Sequence, residues 1–220
     1  MAKAGSTVTI AKNYDLIQEF VVGKTIAEIE EVAKKPAEEA IDAVTGATLV
    51  DMPGYLMEIV NAAKAADQKV MYKGDVSKLT LKQILGAPHG TKSFGLTTVV
   101  TDGEKVVLAH IDEFQYLADD KFTGVANSDA FAEAESVKAG LVLGSKRVND
   151  KAYSDNMAKA GSTVAIAKNY DIIQEFVAGK TVAEIEEVAK KPAEEAIDAV
   201  TGATLVDMPG YLMEIVNAAK

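Results

Sequence analysis

Residues Met1–Lys64 recur as Met157–Lys220 with only four differences, Thr9/Ala165, Leu16/Ile172, Val22/Ala178 and Ile26/Val182. Any fold for this chain must accommodate one sequence twice. All four changes keep the position small or apolar, so both copies are expected to fill the same kind of core. Between them lies an unrelated middle segment, and the spacing of the copies is far too long for a stacked solenoid unit. The simplest organisation is a domain of the form middle segment plus repeat, preceded by the tail of another such domain. On that reading residues 1–64 are the C-terminal half of a preceding domain, 65–94 are a linker and lead-in, and 95–220 are a complete domain. Met1 aligns with the mid-chain Met157, as expected of a chain that starts inside a repeat.

The middle segment carries the strand signals. Leu96–Thr101 and Lys105–Phe114 are rich in Val, Thr and Ile, and the Asp102-Gly103 between them predicts a tight hairpin. Val142-Leu143 reads as the start of another short strand. Leu79–Leu85 reads as a short helix that stops at Gly86-Ala87-Pro88. The repeat reads as helical. Ile172, Ile173, Phe176 and Val177 fall at helical spacing, and Gly179 closes that helix. Thr181 and Glu184 have capping-box spacing and open a helix through Ala189, which Lys190-Lys191-Pro192 ends. Asp207 is the expected N-cap of a last helix through Ala219, with Pro209 in its first turn and Leu212, Ile215 and Val216 on one face. The fold class is therefore α+β, antiparallel strands packed with helices.

Composition narrows the function. The formal net charge of −10, from 33 acidic and 23 basic side chains, repels phosphate backbones and argues against nucleic-acid binding. The absence of cysteine excludes disulfides, iron–sulfur clusters and thiolate metal sites. The two histidines lie far apart and show no metal-ligand spacing. No Ser sits in a Gly-x-Ser-x-Gly context, so a hydrolase reading has no support. No stretch is long and apolar enough to span a bilayer, and no signal peptide is seen. Glu28, Glu30, Glu31, Glu38 and Glu39 read as solvated helix faces.

The heptapeptide Asp-Ala-Val-Thr-Gly-Ala-Thr occurs at Asp42–Thr48 and again at Asp198–Thr204. A threonine hydroxyl just ahead of a helix lies near free backbone N–H groups and the positive end of a dipole, a place that suits a phosphate. Gly46 and Gly202 permit a tight turn and leave room for a bulky group, and Ala47 and Ala203 add little obstruction. Asp42 and Asp198 are placed to bond the turn, which Thr45 and Thr201 enter. On residues alone, Thr-Gly before a helix is most simply a turn and a cap.

Both copies match, at every fixed position, the pattern Asp-x-x-Ser/Thr-Gly-Ala-Thr/Ser, and in this the chain resembles the FMN-binding domain family. That family includes flavin-bearing periplasmic subunits of bacterial sodium-pumping quinone reductases and surface flavoproteins of Gram-positive bacteria. The resemblance covers roughly 95–220 fully and 1–64 as a half-domain. It implies that Thr48 and Thr204 each accept FMN through a phosphoester, placed by a separate magnesium-dependent flavin transferase. It implies an electron carrier rather than a self-sufficient enzyme. The donor would be a membrane quinone reductase or dehydrogenase and the acceptor would be extracellular. The implied setting is extracytoplasmic, at the cell surface, with a lipid anchor in the full-length protein. Many members cap the following helix with a hydroxyl residue, where this chain has Asp51 and Asp207.

Other residues have two readings each. Met208, Tyr211 and Leu212 wall the flavin ring or belong to the core. Lys146 and Arg147 stabilise the reduced, anionic flavin at its N1–C2 carbonyl edge or form a solvated basic pair. His89 is an exposed loop residue or a donor near the cofactor, and His110 reads as structural. The first copy lacks a hairpin of its own, so it either completes the middle segment of another chain by swapping or packs as an incomplete unit. The rival from another class is a surface binding or adhesion repeat without a cofactor, in which the copies supply avidity and the heptapeptide is only a turn.

Overall fold

The structure, a computed structural model, describes residues 7–65, 72–128 and 138–220. It divides into two compact units, Met1–Lys69 and Val70–Lys220.

The first unit is helical in its described residues: α1 (Ile10–Val21), α2 (Ile26–Ala33), α3 (Ala37–Ala43) and α4 (Met52–Ala65). Its start signals are local. Thr9 caps α1, its hydroxyl accepting from Lys12 N–H, and Thr25 with Glu28 forms a complete capping box on α2. Pro36 opens α3, with Glu38 and Glu39 at the positive end of that helix. Ile17, Ile29, Ala40, Val44, Met52, Leu56 and Val60 form a small core.

In its described residues the second unit begins with a 3₁₀ turn at Val76–Lys78 and four strands: β1 (Thr80–Gly86), β2 (Ser93–Thr101), β3 (Val106–Ala118) and β4 (Leu141–Ser145). They form one antiparallel sheet in the order β1-β2-β3-β4. The β2–β3 turn is the predicted Asp-Gly hairpin. Asp102 Oδ1 accepts from the N–H groups of Glu104 and Lys105, and Gly103 takes a φ of 93° that few side chains tolerate. Val142-Leu143 lies in β4, as expected.

Five helices follow: α5 (Asp150–Lys159), α6 (Ile166–Val177), α7 (Val182–Ala189), α8 (Ala193–Ala199) and α9 (Met208–Ala219). The helices α6 to α9 repeat α1 to α4, with the same Thr181–Glu184 capping box. One face of α6 and α9 packs on the sheet. Val99, Ala109, Ile111, Ile166, Tyr170, Ile173, Leu212, Ile215 and Val216 are all buried in this core.

Three expectations need correction. Leu79–Leu85 is not a helix: Thr80–Gly86 is an edge strand paired in register with Gly95–Thr101. This strand lies inside the stretch read as a linker and lead-in. Asp207 occupies the N-cap position of α9, but its side chain makes no cap hydrogen bond. Not all four differences between the copies concern core filling. Thr9 and Val22 are exposed, and position 9 is a helix cap.

Candidate functional site

In both copies the heptapeptide folds as a helix end, a glycine turn and a lead into the next helix. Asp198 is on α8, and Gly202 follows it with φ of 94°, as Gly46 does with φ of 88°. The δ-methyl carbon of Ile172, or of Leu16 in the first copy, would lie 3.6 or 3.7 Å from a Cβ placed at that glycine. Ala203 and Ala47 are buried in the core, whereas Asp198, Thr201, Gly202 and Asp42, Thr45, Gly46 are exposed.

An asparagine holds the last threonine. Asn169 is fully buried on α6, and its Oδ1 accepts from Thr204 N–H at 2.7 Å. Its amide nitrogen donates to the carbonyls of Val164 and Ala165 at 3.1 Å. Asn13 does the same for Thr48, with Oδ1 accepting from Thr48 N–H at 2.7 Å. The asparagine therefore fixes the threonine backbone, while the Thr204 hydroxyl makes only long contacts with Asn169, at 3.4 and 3.5 Å. Thr204 is exposed, so its hydroxyl is positioned and accessible at once. Sequence reasoning missed this pair. The only local trace is an amide inside an amphipathic helix, thirty-five residues before the threonine it holds.

Thr204 opens onto a cavity of about 430 Å³, within the size range of small-ligand sites. Tyr153, Met157, Ile166, Leu205 and Tyr211 give it aromatic and apolar walls, and His89, Lys146 and Asp207 join Ser162 and Thr163 among its polar members. Tyr211 lines this cavity and is also buried in the core. Met208 and Leu212 are buried in the core and do not line the cavity.

Behind the cavity lies a buried polar cluster. Lys146 is 0% exposed and is not a solvated surface residue. Its Nζ donates to Glu113 Oε2 at 2.7 Å and contacts His89 Nδ1 at 3.1 Å and Ser93 Oγ at 3.5 Å. The hydroxyls of Tyr170 and Tyr211 also donate to Glu113 Oε2, at 2.6 and 2.7 Å, and Ser93 Oγ donates to Oε1 at 3.0 Å. Burial pushes the Glu113 carboxyl up, but Lys146 and the two phenols outweigh it and hold it below the usual carboxylate range. Burial, then neighbouring charge, pushes the Tyr170 and Tyr211 phenols far above their ordinary values, so they remain hydrogen-bond donors. An ammonium only donates, so His89 accepts at Nδ1 and carries its hydrogen on Nε2. That nitrogen lies 3.6 Å from Asp207 Oδ2.

Arg147 faces elsewhere. Its guanidinium donates to Ile111 carbonyl, Asp171 and Gln174, at 2.6, 2.9 and 2.8 Å, and ties β3 to α6. The first turn of α9 uses its own donors: Met208 N–H bonds Leu205 carbonyl, Gly210 and Tyr211 N–H bond Asp207 carbonyl, and Pro209 has none. The helix start is therefore not the free phosphate seat expected from sequence. His110 lies on β3, paired with Thr98 of β2.

No protein-family model, characterised protein or solved structure matches the chain. Among the described residues, no helix is long and apolar enough to cross a membrane.

Proposed function

We propose that residues 72–220 form a flavin carrier, with FMN joined by a phosphoester to Thr204 Oγ1 and its ring in the adjoining cavity. The observation that carries this reading is the accessible Thr204 hydroxyl at the rim of a cavity walled by Tyr153 and Tyr211, with Lys146 behind it. FMN exchanges electrons one or two at a time, which lets a carrier join two-electron donors to one-electron acceptors. Within the chain, Asn169 fixes the ester-bearing residue, and Tyr153, Met157, Ile166 and Tyr211 exclude water from the ring. Lys146, which lines the cavity where its partner Glu113 does not, presents the cationic member of that ion pair, and the His89 Nε2–H supplies a donor at the edge. On this reading a flavin transferase loads the site. A membrane quinone reductase or dehydrogenase then reduces it, and an extracellular acceptor oxidises it.

Thr48 carries the same turn and the same asparagine clamp, so it is the second attachment residue. Its unit contributes no counterpart of Lys146, His89 or Tyr153, which belong to the middle segment. Intact mass after co-expression with a flavin transferase tests the reading. Each intact threonine should add one FMN less one water, and Thr204→Val and Thr48→Val should each remove one addition. The flavin left in Thr48→Val should have quenched fluorescence, because tyrosines flank it, and the flavin left in Thr204→Val should fluoresce like the free cofactor. No addition to any form, with the transferase active on another substrate, would leave the heptapeptide as a turn and favour a cofactor-free binding repeat.

A further inference from the structure

The two copies carry the same side chains into different surroundings, and the difference marks a surface on residues 7–65. In the second copy the sheet closes one face of α6 and α9. Tyr170 and Tyr211 donate to Glu113 Oε2, Gln174 Oε1 accepts from Ile111 N–H at 2.8 Å, and Glu214 Oε2 accepts from the Thr97 hydroxyl at 2.9 Å. In the first copy the counterparts Tyr14, Gln18, Tyr55 and Glu58, with Ile17 and Ile59, line a hollow of about 230 Å³. Tyr14 is 41% exposed where Tyr170 is 0%.

We propose that this hollow is a seat for an antiparallel sheet of the chemistry of residues 80–145, presented by a polypeptide whose own helical cover is missing. The partner's central strand would offer a carboxylate to the two phenols and a backbone N–H to Gln18, and the next strand would offer a hydroxyl to Glu58. The internal copy shows what covers these side chains, because 157–220 places the same residues on such a sheet. None of the four sequence differences falls among the six residues lining the hollow. The seat is also built in advance. The capping box, the asparagine clamp and the Tyr14–Tyr55 ring contact, 5.6 Å against 5.8 Å for Tyr170–Tyr211, are all in place without a sheet. A second copy of the same face fits less well, because it brings phenols and carboxylates but no strand N–H for Gln18.

The test lengthens the full chain by a further copy of residues 65–156 placed ahead of Met1, with the parent chain as reference. Nitration of Tyr14, read on the 13–24 peptide that Val22 distinguishes from 169–180, should slow about tenfold, and amide exchange across residues 13–24 should slow similarly. Replacing the added copy's counterpart of Glu113 with Leu should return the nitration rates toward those of the parent. Parent-like rates at Tyr14 would overturn the proposal, whether the added strands are protected from exchange or not. So would concentration-dependent protection of Tyr14 in the parent alone with a dimer by light scattering, which would assign the face to self-association.

Discussion

Residues 7–65 and 163–220 form the same four helices, with the same capping box, the same glycine turn and the same buried asparagine. Yet Ile10, Tyr14, Gln18 and Glu58 are exposed, while Ile166, Tyr170, Gln174 and Glu214 are buried. What is common to the two is set within the repeat, over short separations. What differs is supplied by the middle segment: a sheet, a buried cation and a second aromatic wall. The repeat thus encodes the Thr-Gly-Ala-Thr turn by itself, whereas the cavity beside Thr204 is built with the β1–β2 loop, the residue after β4 and α5. Burying the face of α6 and α9 also raises the stakes of each polar group on it, because a phenol or carboxylate under a sheet must find its partner there.

The largest expected effect comes from removing the cation that only one copy uses. Lys146→Met leaves Glu113 buried without its counter-charge and should cost about 3–5 kcal/mol. Two-probe denaturation should show the loss in the unit containing the sheet. Residues 7–65, which have no such ion pair, should melt as before. A cost below about 1 kcal/mol would mean that Glu113 takes up a proton easily and that the cluster is held by packing.

A paired substitution sharpens the comparison. Tyr170→Phe withdraws one of the phenols from Glu113 and should cost about 1–3 kcal/mol by chemical denaturation. Tyr14→Phe removes the same atom from an exposed site and should stay within about 0.5 kcal/mol. Equal costs would show that Tyr14 is covered in solution.

The legibility of the chain follows the same division. The Thr181–Glu184 box and the Asp102-Gly103 hairpin were readable because their partners are two or three residues apart. The strand at Thr80–Gly86 was not, because its exposed Leu81 and Leu85 mark no buried face and its backbone pairs with β2. Lys146 read as half of a surface pair because its partner Glu113 is thirty-three residues away on β3. The heptapeptide was the most visible feature of the site, yet the asparagine that orients it and the cluster behind its cavity are tertiary facts. The carboxylate of Asp207 shows the same limit: at the cap position it lies near His89, 3.6 Å away, and leaves the helix start uncapped.

Acidity separates two buried carboxylates that the sheet creates. Glu113 is held below its ordinary range, so its contribution is present above that range and lost as pH falls through the lowered value. Glu214 is pushed up, by burial first and the Glu113 charge as well, against the Thr97 hydrogen bond, and its Oε1 has no partner. Its contribution is present below the ordinary range and lost as pH rises through the raised value. Glu214→Gln should therefore raise stability at pH 7 by about 1 kcal/mol, and the gain should vanish below roughly pH 4. Glu58→Gln, on the exposed counterpart, should change neither. A gain independent of pH would mean that Glu214 does not titrate with folding.

The most local effect concerns the first difference between the copies. Thr9 caps α1 through its own hydroxyl, at 3.2 Å from Lys12 N. Ala165 has no hydroxyl, and at that helix Ser154 Oγ accepts from Ile166 N–H and Asp150 Oδ1 from Ala167 N–H, both at 2.9 Å. The cap has moved from the repeat to α5, which packs beside α6 only in the second copy. Thr9→Ala should accordingly cost residues 7–65 about 0.5–2 kcal/mol, while Ala165→Thr should add almost nothing. Asp150→Ala should restore the value of a hydroxyl at position 165: in that background Ala165→Thr should recover most of what was lost. If the threonine instead stabilises both backgrounds equally, the α5 side chains are not acting as the cap, and the difference at this position has no structural cause in the neighbouring helix.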